Sequence, residues 1–501
     1  MAITFFVFPA ARALSSRPRC TILFATETGK SESFANRLSG LFSSAFNVSV
    51  CAMDAYEPAN RLPNEQLLLL VTSTFGNGDA PENGEAFWKH LSALKATAKG
   101  KQQQQKEQKP FSGAYAVFAL GSNAYPHFCA FGRHLDEMLD SLGGQRVLPC
   151  GTGDELAGQE TSFQEWANDA FTGACKQFHL KTPTSDTIPQ MLQQSKWSAS
   201  SVRLEAVQDK PEVDADERSK RVASTLSRLA HNKTVVNWRL ASREYLVETT
   251  NPFSAPDHNP KTIKVVLSRD TPVDYQPGDH LAVYPQNDPK IVSGIIQRLS
   301  GSAHDPTQKL VVKVTTDGGQ SWTVHEKLNR PVSLREALVR YLDVGSPPTQ
   351  HLLQLLSESE GLTEADRGRL LQLATSDEEY EQWKAERAPG LLTLLAECPS
   401  LVPPLELIFT QLPALQPRYY SVSSSPLSSP NSVELTVAVL RYQTPDGAVH
   451  DGVCSHFLHS IPLERNVYGF IRAAPNFHLP AEPSVPMIWV MLLLLHNFKS
   501  F

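Results

Sequence analysis

Between Phe24 and Ser31 the chain reads Phe-Ala-Thr-Glu-Thr-Gly-Lys-Ser, which gathers the hydroxyls of Thr26, Thr28 and Ser31 around a single glycine. Hydroxyl donors, a backbone open to close approach at Gly29 and the unpaired N–H groups of a helix starting near Lys30 together suit a phosphate. Gly29-Lys30-Ser31 also matches the end of a nucleotide-triphosphate loop, but that motif requires a glycine where Phe24 stands. Two further clusters, Thr72-Ser-Thr-Phe-Gly-Asn-Gly78 and Gly121-Ser-Asn-Ala-Tyr-Pro-His-Phe-Cys129, add hydroxyls and place Phe75 and Tyr125 in separate loops. Two such rings can sandwich a flat heteroaromatic such as an isoalloxazine while the Ser and Thr groups below take its phosphate.

For these residues to meet, their loops must leave the same edge of one sheet. Each cluster follows a short apolar run, at Cys20 to Ala25, Leu67 to Thr72 and Ala114 to Leu120, the composition of parallel strands buried on both faces. Val48 to Ala52 and Val147 to Cys150 are expected as two more strands, the last leading into Gly151-Thr-Gly-Asp-Glu155. Helices are expected at Ser31 to Phe46, with Phe34, Leu38, Leu41, Phe42 and Ala45 on one side, at Ala86 to Leu94 and at Phe163 to Phe178. Strands alternating with helices predict a doubly wound parallel sheet, whose right-handed crossovers collect the strand-end loops on one edge.

The chain has 501 residues, 41% of them apolar, enough for two to four domains with their own cores. Of the net charge of −6, residues 20–180 hold 12 Lys plus Arg against 17 Asp plus Glu, a net of −5. An acidic first module speaks against nucleic acid and for a protein partner with a basic face. Seven scattered cysteines without a C-x-x-C pair indicate neither a disulfide frame nor a metal site, and fit a reducing, cytoplasmic setting. Residues 1–19 form an atypical N-terminal segment that weakly resembles a targeting peptide, being apolar with Arg12, Arg17 and Arg19 and no acids. Met487 to Leu495 is continuously apolar but too short to span a bilayer, so no transmembrane segment is expected. Lys99 to Lys109 is a cationic low-complexity insertion, read as a solvated loop.

These features divide the chain into an α/β domain at 20–180, a polar linker at 181–225 and a β-rich module at 226–485, with an apolar tail at 486–501. In the β-rich module, runs at Thr234 to Arg239, Tyr245 to Thr249 and Thr262 to Leu267, then Tyr275-Gln-Pro-Gly-Asp-His280, predict antiparallel strands of a barrel. Residues 333–397 turn helical, and the β pattern resumes at Arg418 to Ser424 and Val433 to Tyr442. A helical insertion at about 300–400 therefore splits one barrel.

Thr26-Glu-Thr-Gly-Lys-Ser31, Thr72-Ser-Thr-Phe-Gly-Asn-Gly-Asp79, Tyr125-Pro-His-Phe-Cys-Ala-Phe-Gly132, Gly153-Asp-Glu-Leu-Ala-Gly-Gln-Glu160, Tyr275 to His280 and Gln416-Pro-Arg-Tyr-Tyr-Ser-Val-Ser-Ser424 resemble the reductase half of a nitric oxide synthase, from about Cys20 to Pro486. The wider diflavin reductases, cytochrome P450 reductase among them, share this architecture. Tyr380-Glu-Gln-Trp-Lys384 and Phe470 to Pro480 favour the synthase branch.

The resemblance implies a flavodoxin-like domain that binds FMN through Thr26, Glu27, Thr28, Lys30, Ser31, Ser73, Thr74, Ser122, Cys129, Glu155 and Gln159. It implies a barrel that binds FAD through His280, Arg418, Tyr420, Ser421, Thr436, Ala438, Val453, Cys454 and Ser455, with Ser421 as the part of the hydride-transfer cluster present here. The implied reaction is electron relay from NADPH through FAD and FMN to a haem, which in full-length synthases converts L-arginine to nitric oxide and citrulline with tetrahydrobiopterin and calmodulin also engaged.

Three departures qualify this. Where the family enters its NADPH-binding domain through a Gly-Pro-Gly-Thr-Gly loop, this chain reads on from Met487 to Phe501 without one. Ahead of Cys20 there is no room for a haem domain and no basic amphipathic helix for calmodulin. Where the family carries an NADP-contacting Arg, the chain has Pro260-Lys261. The expected partner is thus a separate haem-containing oxygenase domain or a full-length synthase. A reductase for another acceptor, and a non-catalytic fragment that competes with a synthase, remain as alternatives.

Overall fold

The computed structural model describes residues 17–76, 78–101, 110–155, 158–181, 197–207, 214–230, 233–248, 261–299, 305–315, 319–325 and 327–474. The chain forms two compact units, Met1–Lys196 and Trp197–Phe501. The expected N-terminal segment up to residue 16, most of the cationic insertion and the apolar tail lie outside the described residues.

In the first unit, strands β1 (Arg19–Ala25), β2 (Asn47–Ala52), β3 (Leu67–Ser73) and β4 (Ala114–Gly121) pair in parallel in the order β2-β1-β3-β4. The three inner strands are buried almost throughout, as their unbroken apolar runs require. Helices α1 (Lys30–Phe42), α2 (Glu82–Lys101), α3 (Ala130–Ser141) and α4 (Gln159–Gln177) cover the sheet. Phe34, Leu38, Phe163 and Phe171 of α1 and α4 fill one face, and Phe87, Leu91, Phe131 and Leu135 of α2 and α3 the other. Helix α1 stops at Phe42, short of the expected Phe46, whereas α2 extends beyond Ala86 to Leu94 in both directions.

The expected fifth strand at Val147 to Cys150 does not form. Two short strands flank it, β5 (Gln145–Arg146) and β6 (Gly151–Asp154), and both pair with β4. Arg146 stands opposite Tyr115 and Gly151 opposite Phe118, so four residues, 147–150, face two of β4; the Val147 N–H still donates to the Tyr115 carbonyl at 2.8 Å, and the excess beyond it breaks the ladder. Pro149, in their midst, has no N–H to give it.

The second unit contains two structures, each with its own hydrophobic core. A six-stranded antiparallel sheet runs in the order β13-β10-β17-β8-β9-β14, where β8 is Val236–Glu248, β9 Lys261–Ser268, β10 His280–Tyr284, β13 Arg418–Ser421, β14 Ser432–Val439 and β17 Asn466–Arg472. Its end strands are joined by a bridge between Val422 and Leu435 and by the Ser423 N–H donating to the Glu434 carbonyl at 2.8 Å, so the sheet curls back on itself around Trp238, Ile263, Val265, Leu281, Val283 and Leu435. The two strands expected around 234–239 and 245–249 are one, β8, whose register shifts at Leu240/Ser242 and Tyr245/Val247 break the alternation by which a single strand is read. Strands β15 (Arg441–Gln443) and β16 (Val449–Asp451) pair with each other as a separate hairpin.

A three-stranded sheet of β7 (Val202–Ala206), β11 (Leu310–Val314) and β12 (Thr323–Val324) was not foreseen. Strand β7 and helix α5 (Ala215–Leu229) fall inside the stretch read as linker. Helix α5 is mostly polar, yet Val222 and Leu226 are buried and the Asp214 carboxylate caps it by accepting from the Glu217 N–H at 2.8 Å. Helices α6 (Pro289–Leu299), α7 (Leu334–Arg340), α8 (Gln350–Ser357), α9 (Glu364–Thr375), α10 (Asp377–Arg387), α11 (Leu391–Glu397) and α12 (Leu405–Gln411) build the other core with Leu338, Leu353, Leu394 and Phe409. Among the described residues no helix is long and apolar enough to cross a membrane.

Candidate functional sites

Because the first sheet is parallel, the loops after β1, β3, β4 and β6 open on one edge, and the strand order reverses at β1, where the first two loops part to leave a crevice. Gly29 ends the first loop at φ 84°, a left-handed conformation open to glycine, and serves as N-cap of α1 without a side chain capping the helix. Thr26 is buried, and its hydroxyl oxygen accepts the Gly29 N–H at 2.8 Å. Ser31, in the first turn of α1, is fully buried and its Oγ has no hydrogen-bond partner among the described residues. A buried hydroxyl left unpaired costs about 1–3 kcal/mol. An uncapped helix start beside such a donor fits a phosphate, and the residues present therefore suit FMN. Thr28 and Lys30 lie exposed along the same loop, and Ser73 is half-buried at the end of β3.

Several other expected contacts are engaged within the protein. The Glu27 carboxylate accepts the Glu82 N–H at the start of α2 at 2.9 Å. The Thr74 hydroxyl accepts the Phe131 N–H at 3.3 Å, and the Ser122 hydroxyl the Ala124 N–H at 3.4 Å. Cys129 caps α3 at φ 55°, with its thiol buried and donating to the Ala119 carbonyl at 3.3 Å, and burial pushes that thiol up to about 12. It can offer a ligand only its main chain. Gln159 is buried and donates to the Gly153 carbonyl at 3.0 Å, leaving Oε1 without a partner among the described residues. Phe75 opens a tight turn closed by its own bridge to Asp79, and Tyr125 stands 49% exposed, its phenol raised by burial and by the neighbouring Glu155. One residue escaped the reading of the sequence. Asn83 accepts the Thr26 N–H on Oδ1 at 2.9 Å, while its Nδ2 is buried without a partner among the described residues. A single Asn at the start of a helix carries no local signal for that.

In the second unit β13 presents two faces. Tyr420 lies opposite Leu281 and packs on the barrel core, which also holds Cys454, whose thiol donates to the Val283 carbonyl at 3.8 Å. Burial raises Cys454 to about 11, against the opposing effects of Tyr420 and Arg418. Arg418 is steadied by donating to the Gln416 carbonyl at 2.8 Å. Ser421 pairs with His280 across β10, and His280 is flanked on its other side by Arg472 of β17. Burial first and Arg472 second lower the His280 imidazole, which favours its neutral form. Asp279 beside it is buried and accepts the N–H groups of Gln276 and Ala474, each at 2.8 Å, pinning the turn before β10 to the end of β17.

Helix α13 (Val453–Ser460) starts behind Gly452 with no side chain capping it. The Gly452 N–H donates to the Leu440 carbonyl at 2.8 Å, and the Ser455 hydroxyl accepts the Leu440 N–H at 3.0 Å, so this helix start is drawn against the end of β14. A Cβ on Gly452 would lie 2.7 Å from Ser455 Oγ and 2.8 Å from Leu440 Cβ, which leaves room for glycine alone. Thr436 and Ala438 lie exposed on one face of β14, while Val433, Leu435 and Val437 on its other face are buried in the barrel core. An uncapped helix start with a nearby guanidinium suits a pyrophosphate, and the arrangement fits FAD. Lys261, where the family's Arg was sought, places its Nζ 5.7 Å from the Tyr245 ring centre.

Residues 22–166 match the flavodoxin family and residues 247–457 the FAD binding domain family. The chain is 40% identical over 494 residues to an inducible nitric oxide synthase of Homo sapiens, covering 98% of this chain and 40% of that protein. It is 36% identical over 537 residues to a nitric oxide synthase of Anopheles stephensi, covering 96% of this chain and 42% of that protein. A nitric oxide synthase of Lymnaea stagnalis is 37% identical over 529 residues, 98% of this chain and 44% of the relative. The chain thus spans about two fifths of the length of these relatives.

Proposed function

We propose, from the premise that this chain joins a flavodoxin domain to an FAD-binding domain and is homologous along nearly all its length to nitric oxide synthases, that it is an electron-transfer oxidoreductase of the reductase type. When bound, FMN and FAD supply the redox chemistry, passing electrons from a nicotinamide donor toward a haem acceptor.

The chain's own residues bind and orient these groups. Around the first, Thr26, Gly29, Ser31 and the start of α1 face the phosphate, with Phe75 and Tyr125 beside the ring. Around the second, Arg418 and the start of α13 face the pyrophosphate, and Tyr420 and Thr436 border the same region. Ser421 and neutral His280, a cross-strand pair, would border the ring of the second group. The observation that carries this reading is the fully buried Ser31 hydroxyl, without a partner among the described residues, at an uncapped helix start behind a left-handed Gly29.

The acceptor proposed is a haem-containing oxygenase domain, and the acidic balance of the first module favours docking onto a basic face. A second reading, an electron carrier that depends on a partner for its reduction, is favoured by Lys261 standing where the resemblance expects an arginine that contacts the nicotinamide dinucleotide. The test is the absorbance of the purified chain, reconstituted with FMN and FAD, during anaerobic addition of NADPH. Bleaching supports an autonomous reductase. Flavin bands that persist with NADPH but vanish with dithionite support the dependent carrier, and failure to retain either flavin overturns both.

A further inference from the structure

We infer that Asn83 is a positioning residue that sets the first unit's preference for a phosphorylated flavin over an unphosphorylated one; this rests on the FMN reading of that site. Two bonds run in opposite directions between adjacent residues. The Thr26 N–H donates to Asn83 Oδ1 at 2.9 Å, and the Glu82 N–H donates to Glu27 Oε1 at 2.9 Å. The start of α2 and the loop after β1 thereby grip each other, and the contact is close: a Cβ on Gly84 would stand 3.0 Å from the Ala25 Cβ.

Thr26 passes this constraint on. Its hydroxyl oxygen holds the Gly29 N–H, Gly29 begins α1, and Ser31 follows in the first turn. Asn83 thus governs the geometry of the donors that face a phosphate, without standing among them in sequence. Its burial sharpens the case. Asn83 is 4% exposed, and its Nδ2 finds no partner among the described residues. Burying an amide donor unpaired is costly, and an apolar side chain of similar size would escape that cost. A residue there only to fill space has no reason to be an amide; one that must hold the Thr26 N–H does.

The distinguishing readout is selectivity. A residue that merely supports the fold weakens every flavin alike, whereas one that fixes the phosphate loop weakens only the ligand that carries a phosphate. The full chain and its Asn83→Leu and Asn83→Ser variants are titrated with FMN and with riboflavin, following flavin fluorescence, with thermal melting as the check on folding. Asn83→Leu is expected to raise the Kd for FMN about tenfold while that for riboflavin stays within about twofold, a loss equivalent to about 1.4 kcal/mol confined to the phosphate. Asn83→Ser, with a shorter acceptor, is expected between the two, and decides the matter if Asn83→Leu does not melt cooperatively. Equal losses for both flavins, or an unchanged FMN affinity, overturn the inference. A parent chain that binds FMN no better than riboflavin overturns the FMN reading itself.

Discussion

Arg37 and Glu160 form a two-pronged ion pair, Nη1 to Oε2 at 2.8 Å and Nη2 to Oε1 at 2.6 Å, with the guanidinium 4.9 Å from the centre of the Phe163 ring. The pair ties α1 to α4, whose first turns carry Ser31 and Gln159. Arg37→Met keeps most of the aliphatic stem but removes both guanidinium bonds from a half-buried carboxylate that keeps Gln164 Nε2 as a donor at 2.8 Å, and is expected to destabilise the first unit by about 1 kcal/mol. Glu160→Gln, which retains an acceptor oxygen, is expected to cost less. The temperature at which FMN fluorescence is released on heating measures both, and a release temperature unchanged in Arg37→Met would refute the role assigned to the pair.

Ser31→Ala is expected to act with opposite signs on the empty and the loaded protein. Removing a buried hydroxyl that lacks a partner should leave the flavin-free protein as stable as the parent or slightly more so. The same change removes a donor to the phosphate and should weaken FMN about tenfold, or about 1.4 kcal/mol. Melting without flavin and titration with FMN supply the two measurements.

Gly452→Ala tests the second site independently. The added methyl collides with Ser455 Oγ and Leu440 Cβ and must push the start of α13 off the end of β14. Retention of FAD is expected to fall more than tenfold, about 1.4 kcal/mol or beyond, while FMN is held as before. Chromatographic quantification of both flavins released from the purified variant checks this, and equal loss of the two would point to a general folding defect instead.

His325 gives a pH dependence whose sign can be worked out. It is half-buried, its Nδ1 is buried without a partner among the described residues, and burial and then Lys327 lower the imidazole to about 4. The unfolded chain, titrating near 6.5, binds this proton more readily than the folded one. The neutral imidazole's contribution is therefore complete above about pH 6.5 and is lost as the pH falls from there toward 4. The second unit should melt at lower temperature across that window, and His325→Gln should flatten the trend. A variant that keeps the full slope assigns it to another group.

Much of this protein is written locally. The run Cys20 to Ser31 names its own strand, phosphate loop and helix, because a buried strand, a glycine turn and a helix start are contiguous in the chain and each has a residue preference of its own. The barrel strands around His280 and Arg418 are legible for the same reason. Local reading fails where polarity hides an element, as in α5, or where a bulge breaks the alternation, as in β8. Side chains of these loops are also drawn into the fold: the Glu27 carboxylate and the Thr74 oxygen each accept an N–H at a helix start, and the Cys129 thiol donates to a carbonyl.

The sequence by itself pointed to a loop edge suited to a phosphate beside a flat ring, and its family resemblance implied an FAD site in the β-rich module. Tertiary structure alone decided which groups are left over to meet the ligand. Thr26 finds Asn83, Arg37 finds Glu160, and His280 comes to lie between Ser421 and Arg472, partners separated by tens to hundreds of residues. A hydroxyl with a distant partner looks, in sequence, the same as one left open, so only the closed fold distinguishes Ser31, whose hydroxyl has no partner among the described residues, from Thr74, whose oxygen accepts the Phe131 N–H.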